Sequence, residues 1–168
     1  MNVYEGIQLR RSVRQYDKRP IEKETIEKLL RAAMQAPSAA NQQPWEFLVV
    51  ENPETLQKLS NAHTYATPMK NATLAIIVLA KEEGLLFPQY WQQDLAAATQ
   101  NILLAAVEFG LGAVWMGVAP EEDRMAYVKD LFQLPQGVKG FAMLALGYSS
   151  GNVFKDRFDA GRIHYEKY

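Results

Sequence analysis

"YWQQDLAAATQNILLAAVEF", residues 90–109, is the longest stretch of the chain that reads as a single helix, and its character sets the kind of domain to expect. The second half is rich in alanine and apolar on nearly all sides. A helix apolar all round belongs inside a protein rather than on its surface. Gly110 and Gly112 stop it and lead into "AVWMGV", 113–118, which reads as a strand. A long buried helix feeding a strand is the element around which the rest must pack.

Working outward, "TIEKLLRAAMQAPS", 25–38, carries apolar residues at Ile26, Leu29, Leu30, Ala33 and Met34, a helical spacing that ends before Pro37. "WEFLVVE", 45–51, and "TLAIIVLA", 73–80, read as strands, the second apolar throughout and so buried on both faces. Between them "NPETLQKLSNA", 52–62, reads as a short helix capped by Asn52 with Pro53 at its first position. "EEDRMAYVKDLF", 121–132, is a helix with an acidic start, and "GFAMLALGY", 140–148, a last strand. With no repeat or linker, residues 1–168 read as one α+β domain. The aromatic tail after the last strand, with Phe154, Phe158, Tyr165 and Tyr168, packs either on its own domain or on a partner subunit.

Composition narrows the chemistry. Lysine and arginine number 18 against 19 acidic residues, so no global field draws nucleic acid or an anionic membrane. There is no cysteine, which removes disulfides, thiolate metal sites and cysteine nucleophiles, and only two histidines, His63 and His164. An enzyme built this way relies on acidic side chains or a bound cofactor. The N-terminus lacks the apolar stretch of a signal peptide, and no run reads as a membrane span, so the expected location is the cytoplasm.

Against that balance, "RRSVRQY", 10–16, is a local excess of charge. Guanidinium groups bind phosphate through paired charge-assisted hydrogen bonds, and a serine hydroxyl adds a donor. Ser12 as a helix cap and the arginines as a solvated run is the plainer alternative. "KDR", 155–157, places Lys155 and Arg157 on one side of an extended segment, or else is an ordinary charged tail. If the two ends of the domain meet, these cations converge on one phosphate. "APSAANQQPWEF", 36–47, is richer in small residues and amides than a turn requires, and suits close approach of a planar ligand; a helix stop with Trp45 in the core is the alternative. "GLGAVWMGV", 110–118, precedes a strand, so it is not a dinucleotide fingerprint.

Taken in order, "RRSVRQY", "APSAANQQPW", "LAAATQNILLAAVEFGLGAVWMG" and "LGY…KDRF" make the chain resemble the nitroreductase family of FMN-dependent oxidoreductases along nearly its whole length, most closely its short members. The resemblance implies a central, mostly antiparallel sheet flanked by helices around a long buried helix, in an intertwined homodimer with FMN at the interface. It assigns Arg10 and Ser12 to the FMN phosphate, with Arg11 nearby and Lys155 and Arg157 completing the site. Arg14 would lie near flavin N1 and O2 and tune the ring. Pro37, Ser38, Ala39 and Asn41 of the other subunit would cover the ring, supported by Gln43. Backbone around Trp115, Met116 and Gly117 would face the N5–O4 edge; for the Trp115 and Met116 side chains core packing is an equal alternative. The implied activity is hydride transfer from NADH or NADPH through flavin N5 to a nitroaromatic, quinone or similar small planar acceptor, by a ping-pong cycle needing no protein acid or base. A narrower task on the same fold (reductive dehalogenation or flavin cleavage) and a non-catalytic flavin-binding sensor are the alternatives. Ala40 stands where many relatives carry serine or threonine, and Lys70 and Asn71 have no secure register. Phe87, Tyr90 and Trp91 either border the acceptor or pack at the start of the long helix.

Overall fold

The computed structural model describes residues 1–149 and 154–168. In chain order it contains α1 (Val3–Leu9), α2 (Lys23–Met34), β1 (Trp45–Val50), α3 (Pro53–Leu59), β2 (Leu74–Lys81), α4 (Trp91–Glu108), β3 (Leu111–Gly117), α5 (Glu122–Phe132) and β4 (Val138–Tyr148). A 3-10 helix over Thr64–Asn71, which the sequence pattern does not announce, precedes β2. Gly112 lies inside β3 rather than in the stop after α4; the helix ends at Glu108, and Gly110, at φ +68°, makes the turn.

The four strands form one sheet in the order β1-β2-β4-β3, antiparallel at every pairing. The all-apolar run in β2 is buried on both faces. On one face Ile76 and Val78 meet Leu29 of α2 and Leu95, Ala98 and Ile102 of α4. On the other, Ala75 and Ile77 pack with Leu56 and Leu59 of α3, Met69 of the 3-10 helix and Val128 of α5. The sheet is thus the middle of three layers, with α4 as the central helix of one outer layer.

Only part of α4 is covered. Leu95, Ala98, Thr99, Ile102, Leu103 and Ala106 are buried, whereas Ala96, Ala97, Asn101, Leu104 and Ala105 are half-exposed. On neighbouring α1, Val3, Tyr4 and Ile7 are exposed. Among the described residues no helix is long and apolar enough to cross a membrane.

After α1 the chain runs extended beside the edge strand β3. Ser12 forms an isolated parallel bridge with Ala113, and the Val13 N–H donates to the Ala113 carbonyl at 2.9 Å. Ser12 is therefore a strand-edge residue and caps no helix. A Cβ on Gly112 would stand 2.5 Å from Val13 Cγ1, and one on Gly147 would stand 2.6 Å from Tyr16 Cβ. Both positions must lack a side chain for the segment to lie this close. The Tyr16 hydroxyl donates to the Val13 carbonyl at 2.6 Å, with the Ala145 carbonyl 3.1 Å away, and burial pushes its pKa up. Gly147→Ala is expected to drive Tyr16 off β4 and to destabilise the fold by about 1–3 kcal/mol, the usual penalty of overpacking. Urea denaturation measures this, and an unchanged midpoint would remove the close approach as a constraint.

Candidate functional site

α1 ends at Arg10, and the residues that follow meet the far end of the chain. Arg11 Nη1 donates to the Arg10 carbonyl at 2.7 Å and Nη2 to the Lys155 carbonyl at 3.0 Å, across 144 residues of sequence. Arg10, Arg11, Lys155 and Arg157 line a single cleft of about 520 Å³, walled by Tyr4 and Phe158. None of the four forms an ion pair among the described residues. Asp156, the one acid on the cleft wall, accepts the Phe158 N–H at 2.9 Å. Burial, then the charges of Arg11 and Arg157, pull the Arg10 pKa down. A cluster of four cations with a single acid beside them among the described residues favours an anion.

A second cavity, about 310 Å³, is lined by Arg14 together with Trp115, Met116 and Gly117 of β3. Arg14 Nη1 reaches the Ser12 carbonyl at 3.3 Å. Val114 and Met116 belong to the core on the α5 side, while Trp115 packs on the α4 side, edge-on to Phe141 at 5.6 Å. Both side chains therefore do core work. Because Ala113 directs its carbonyl outward to Val13, the strand alternation also directs the Trp115 N–H and C=O outward at this cavity.

The same cavity takes in two residues that sequence reasoning did not single out, His63 and Arg124. Arg124 Nη1 donates to the Gly117 carbonyl at 3.0 Å. His63 Nδ1 accepts the Tyr65 N–H at 3.1 Å, and its Nε2 is buried with no partner among the described residues. Burial, then the Arg124 charge, hold the His63 pKa below its ordinary value against an opposing pull from Asp123. A lone histidine and an arginine at an acidic helix start carry no pattern in sequence. Lys70 lines a different cavity, with Lys18 and Glu51.

The loop of residues 36–44 lines neither cavity. It holds three non-glycine residues in the left-handed region, Ala40 at φ 47°, Asn41 at φ 55° and Gln43 at φ 47°, each a strain of order 1–3 kcal/mol. Ser38 Oγ accepts the Gln43 N–H at 3.0 Å, and Gln43 Nε2 donates to Asn41 Oδ1 at 2.9 Å. Pro37 is exposed beside them. The anchor is Asp94, in the first turn of α4 and only 4 % exposed. Its carboxylate accepts the Ala39 N–H at 2.9 Å and Gln42 Nε2 at 2.6 Å. The Gln42 amide also pairs with both backbone groups of Phe87, at 3.0 and 3.1 Å. The loop thus sits at the start of α4, whereas Ser12 pairs with the strand that follows its end. Most of the helix, about 27 Å for 18 residues, separates them.

Asp94→Ala is expected to destabilise the protein by about 1.5–3 kcal/mol per lost hydrogen bond to the carboxylate and to open residues 36–44 to proteolysis. Asp94→Asn, which keeps one acceptor, should fall between. Denaturation midpoints and cleavage mapping check both, and an uncut Asp94→Ala loop would show that the anchor lies elsewhere.

The model of the Nitroreductase family matches residues 7–92 and 62–148. A provisionally named NADH dehydrogenase/NAD(P)H nitroreductase of Methanothermobacter thermautotrophicus is 46% identical over 169 residues, covering 100% of this chain and 88% of the relative. Among solved structures, a provisionally named NADH oxidase of Clostridium acetobutylicum superposes with a TM-score of 0.95 at 54% identity, over 97% of this chain and 99% of the other. A provisionally named nitroreductase of Desulfovibrio desulfuricans, solved in complex with FMN, has a TM-score of 0.84 at 28% identity, over 100% and 98% of the two chains. With the family model matching most of its length and the whole antiparallel architecture shared, the chain belongs to the nitroreductase family of oxidoreductases.

Proposed function

We propose that this single-domain chain, residues 1–168, is an FMN-dependent NAD(P)H oxidoreductase acting as a homodimer on nitroaromatics, quinones or similar planar acceptors. The meeting of Arg11 with Lys155 carries the reading. It gathers Arg10, Arg11, Lys155 and Arg157 around one cleft without matching acids, as a partly buried phosphate of nearly double negative charge requires. Ser12, at the β3 edge, lies on the path from that cleft to the Arg14 cavity. Bound FMN would supply the hydride chemistry that links NAD(P)H to an acceptor. The residues of the chain bind, orient and shield. The four cations would hold the phosphate end and Arg14 the N1–O2 side; along Trp115, Met116 and Gly117, the outward N–H groups of Trp115 and Gly117 would serve the N5–O4 edge, while the Met116 backbone turns to β4.

Pro37, Ser38, Ala39, Asn41 and Gln43 stand most of a helix length from the arginine end of their own chain. In this reading they cover the ring held by a second copy. The half-exposed face of α4 and the exposed Val3, Tyr4 and Ile7 supply an apolar surface for that copy to bury. A ring face left open to solvent would admit donor and acceptor in turn, and the expected kinetics are ping-pong.

Purified protein is expected to show a flavin absorbance that NADH or NADPH bleaches without oxygen and that an added quinone restores. A colourless protein that takes up no added FMN would sink the proposal, and bound FMN that neither nucleotide bleaches would favour the sensor alternative. Replacing Arg157 by alanine removes one charged contact to the phosphate, worth about 1.5–3 kcal/mol. FMN affinity by fluorescence quenching should then fall about tenfold to a hundredfold.

A further inference from the structure

The cavity beside Trp115 contains a second guanidinium, for which the family resemblance provides no role. Arg124 stands in the first turns of α5, partly buried, with Nη1 on the Gly117 carbonyl at 3.0 Å. A carbonyl fixes a guanidinium in place without cancelling its charge, whereas a carboxylate would do both. Neither Arg124 nor Arg14 forms an ion pair among the described residues, and no aspartate or glutamate lines the cavity. Asp123, the adjacent acid, turns its carboxylate onto the Arg124 backbone N–H at 2.8 Å.

The remaining titratable groups compensate that charge only in part: the Asp123 carboxylate is felt at His63, but less than burial and Arg124 are. His63 is held toward its neutral form by burial and by Arg124 itself. Its Nδ1 accepts from Tyr65, so the ring proton sits on the buried, unpartnered Nε2. The cavity wall therefore offers donors and two positive charges, with Thr64, Tyr65 and Thr67 completing it. The two arginines differ in firmness. Arg14 is exposed and held by one contact at 3.3 Å, while Arg124 is partly buried and tied to the last residue of β3. A charge already in position stabilises a developing anion most, because nothing has to reorganise.

The geometry points to Arg124 as the fixed cation that stabilises negative charge on a reduced cofactor ring held against Trp115–Gly117, with Arg14 as its more mobile companion. This inference rests on the FMN reading above. A positive charge beside the pyrimidine end tightens binding of the reduced flavin relative to the oxidised form and so raises the midpoint potential. Arg124 acts on the ring's electronics and is not required as an anchor for the phosphate.

Two variants separate charge from contact. Arg124→Gln keeps a donor for the Gly117 carbonyl but removes the charge, and Arg124→Lys keeps the charge. Each dimer is loaded with FMN; oxidised-FMN affinity is read by fluorescence quenching and the midpoint potential by equilibration with reference dyes. Arg124→Gln is expected to lower the ratio of reduced to oxidised FMN affinity about tenfold, a drop of ~30 mV for a two-electron couple. Arg124→Lys should retain most of the wild-type potential, and oxidised-FMN affinity should stay nearly unchanged in both. An unchanged potential in loaded Arg124→Gln overturns the inference, as do equal drops in the two variants, which would assign the effect to the shape of the guanidinium rather than to its charge. Collapse of oxidised-FMN affinity in both variants also overturns it, by making Arg124 an anchor. A wild-type chain that binds no FMN fails at the earlier reading instead, so the two failures are distinguishable.

Discussion

The structure depends on a close approach that two missing side chains permit. Val13 lies over Gly112 and Tyr16 over Gly147 at distances no Cβ could share. That contact lays the segment after α1 along the open edge of β3, with Ser12 bridged to Ala113. Once the segment is seated, Arg10 and Arg11 project to one side of it and Arg14 to the cavity at the other end of β3. Move the segment outward by an ångström or two and both positive sites lose their geometry together. Packing of two aliphatic and aromatic side chains on bare backbone thus places charges that by themselves repel.

The division of those charges follows from their surroundings. In the larger cleft four cations share one wall, and burial first, then the charges of Arg11 and Arg157, depress the pKa of Arg10. Like charges gathered without ion pairs among the described residues are a local inconsistency of the kind that marks functional sites, and the proposed phosphate would relieve it. In the smaller cavity the cations are fewer and one is fixed by a carbonyl, which suits the role on a ring proposed for it. Asp94, the charged side chain buried elsewhere among the described residues, has the opposite task. It spends its carboxylate on backbone and amide donors to hold a strained loop in shape.

α4 sets the distance between these parts. Its first turn anchors the 36–44 loop through Asp94, and its last turn delivers the chain to β3. In the proposed dimer one copy carries two half-sites, at the two ends of an 18-residue helix whose outer face is only half covered. Both features make sense if a second copy lies against that face and brings its own loop to the first copy's arginines.

The sequence by itself determined the local elements and the class of fold. Helical periodicity marked α2, the unbroken apolar run marked β2 as buried on both faces, and the alanine-rich stretch of 90–109 marked the central helix, because these depend on short-range pattern and burial. The four basic and small-residue motifs were also legible, and so was the possibility that "RRSVRQY" and "KDR" meet. Tertiary structure alone decided which residues share a cavity. Gly112 moved from a helix stop into a strand, where its bareness serves Val13, a contact 99 residues away in sequence that no local pattern encodes. Asp94 and Gln42 emerged as the anchor of the loop, and His63 and Arg124 as partners of Arg14. Each is a single polar residue of ordinary spacing, and its role exists only through neighbours that folding brings from elsewhere in the chain.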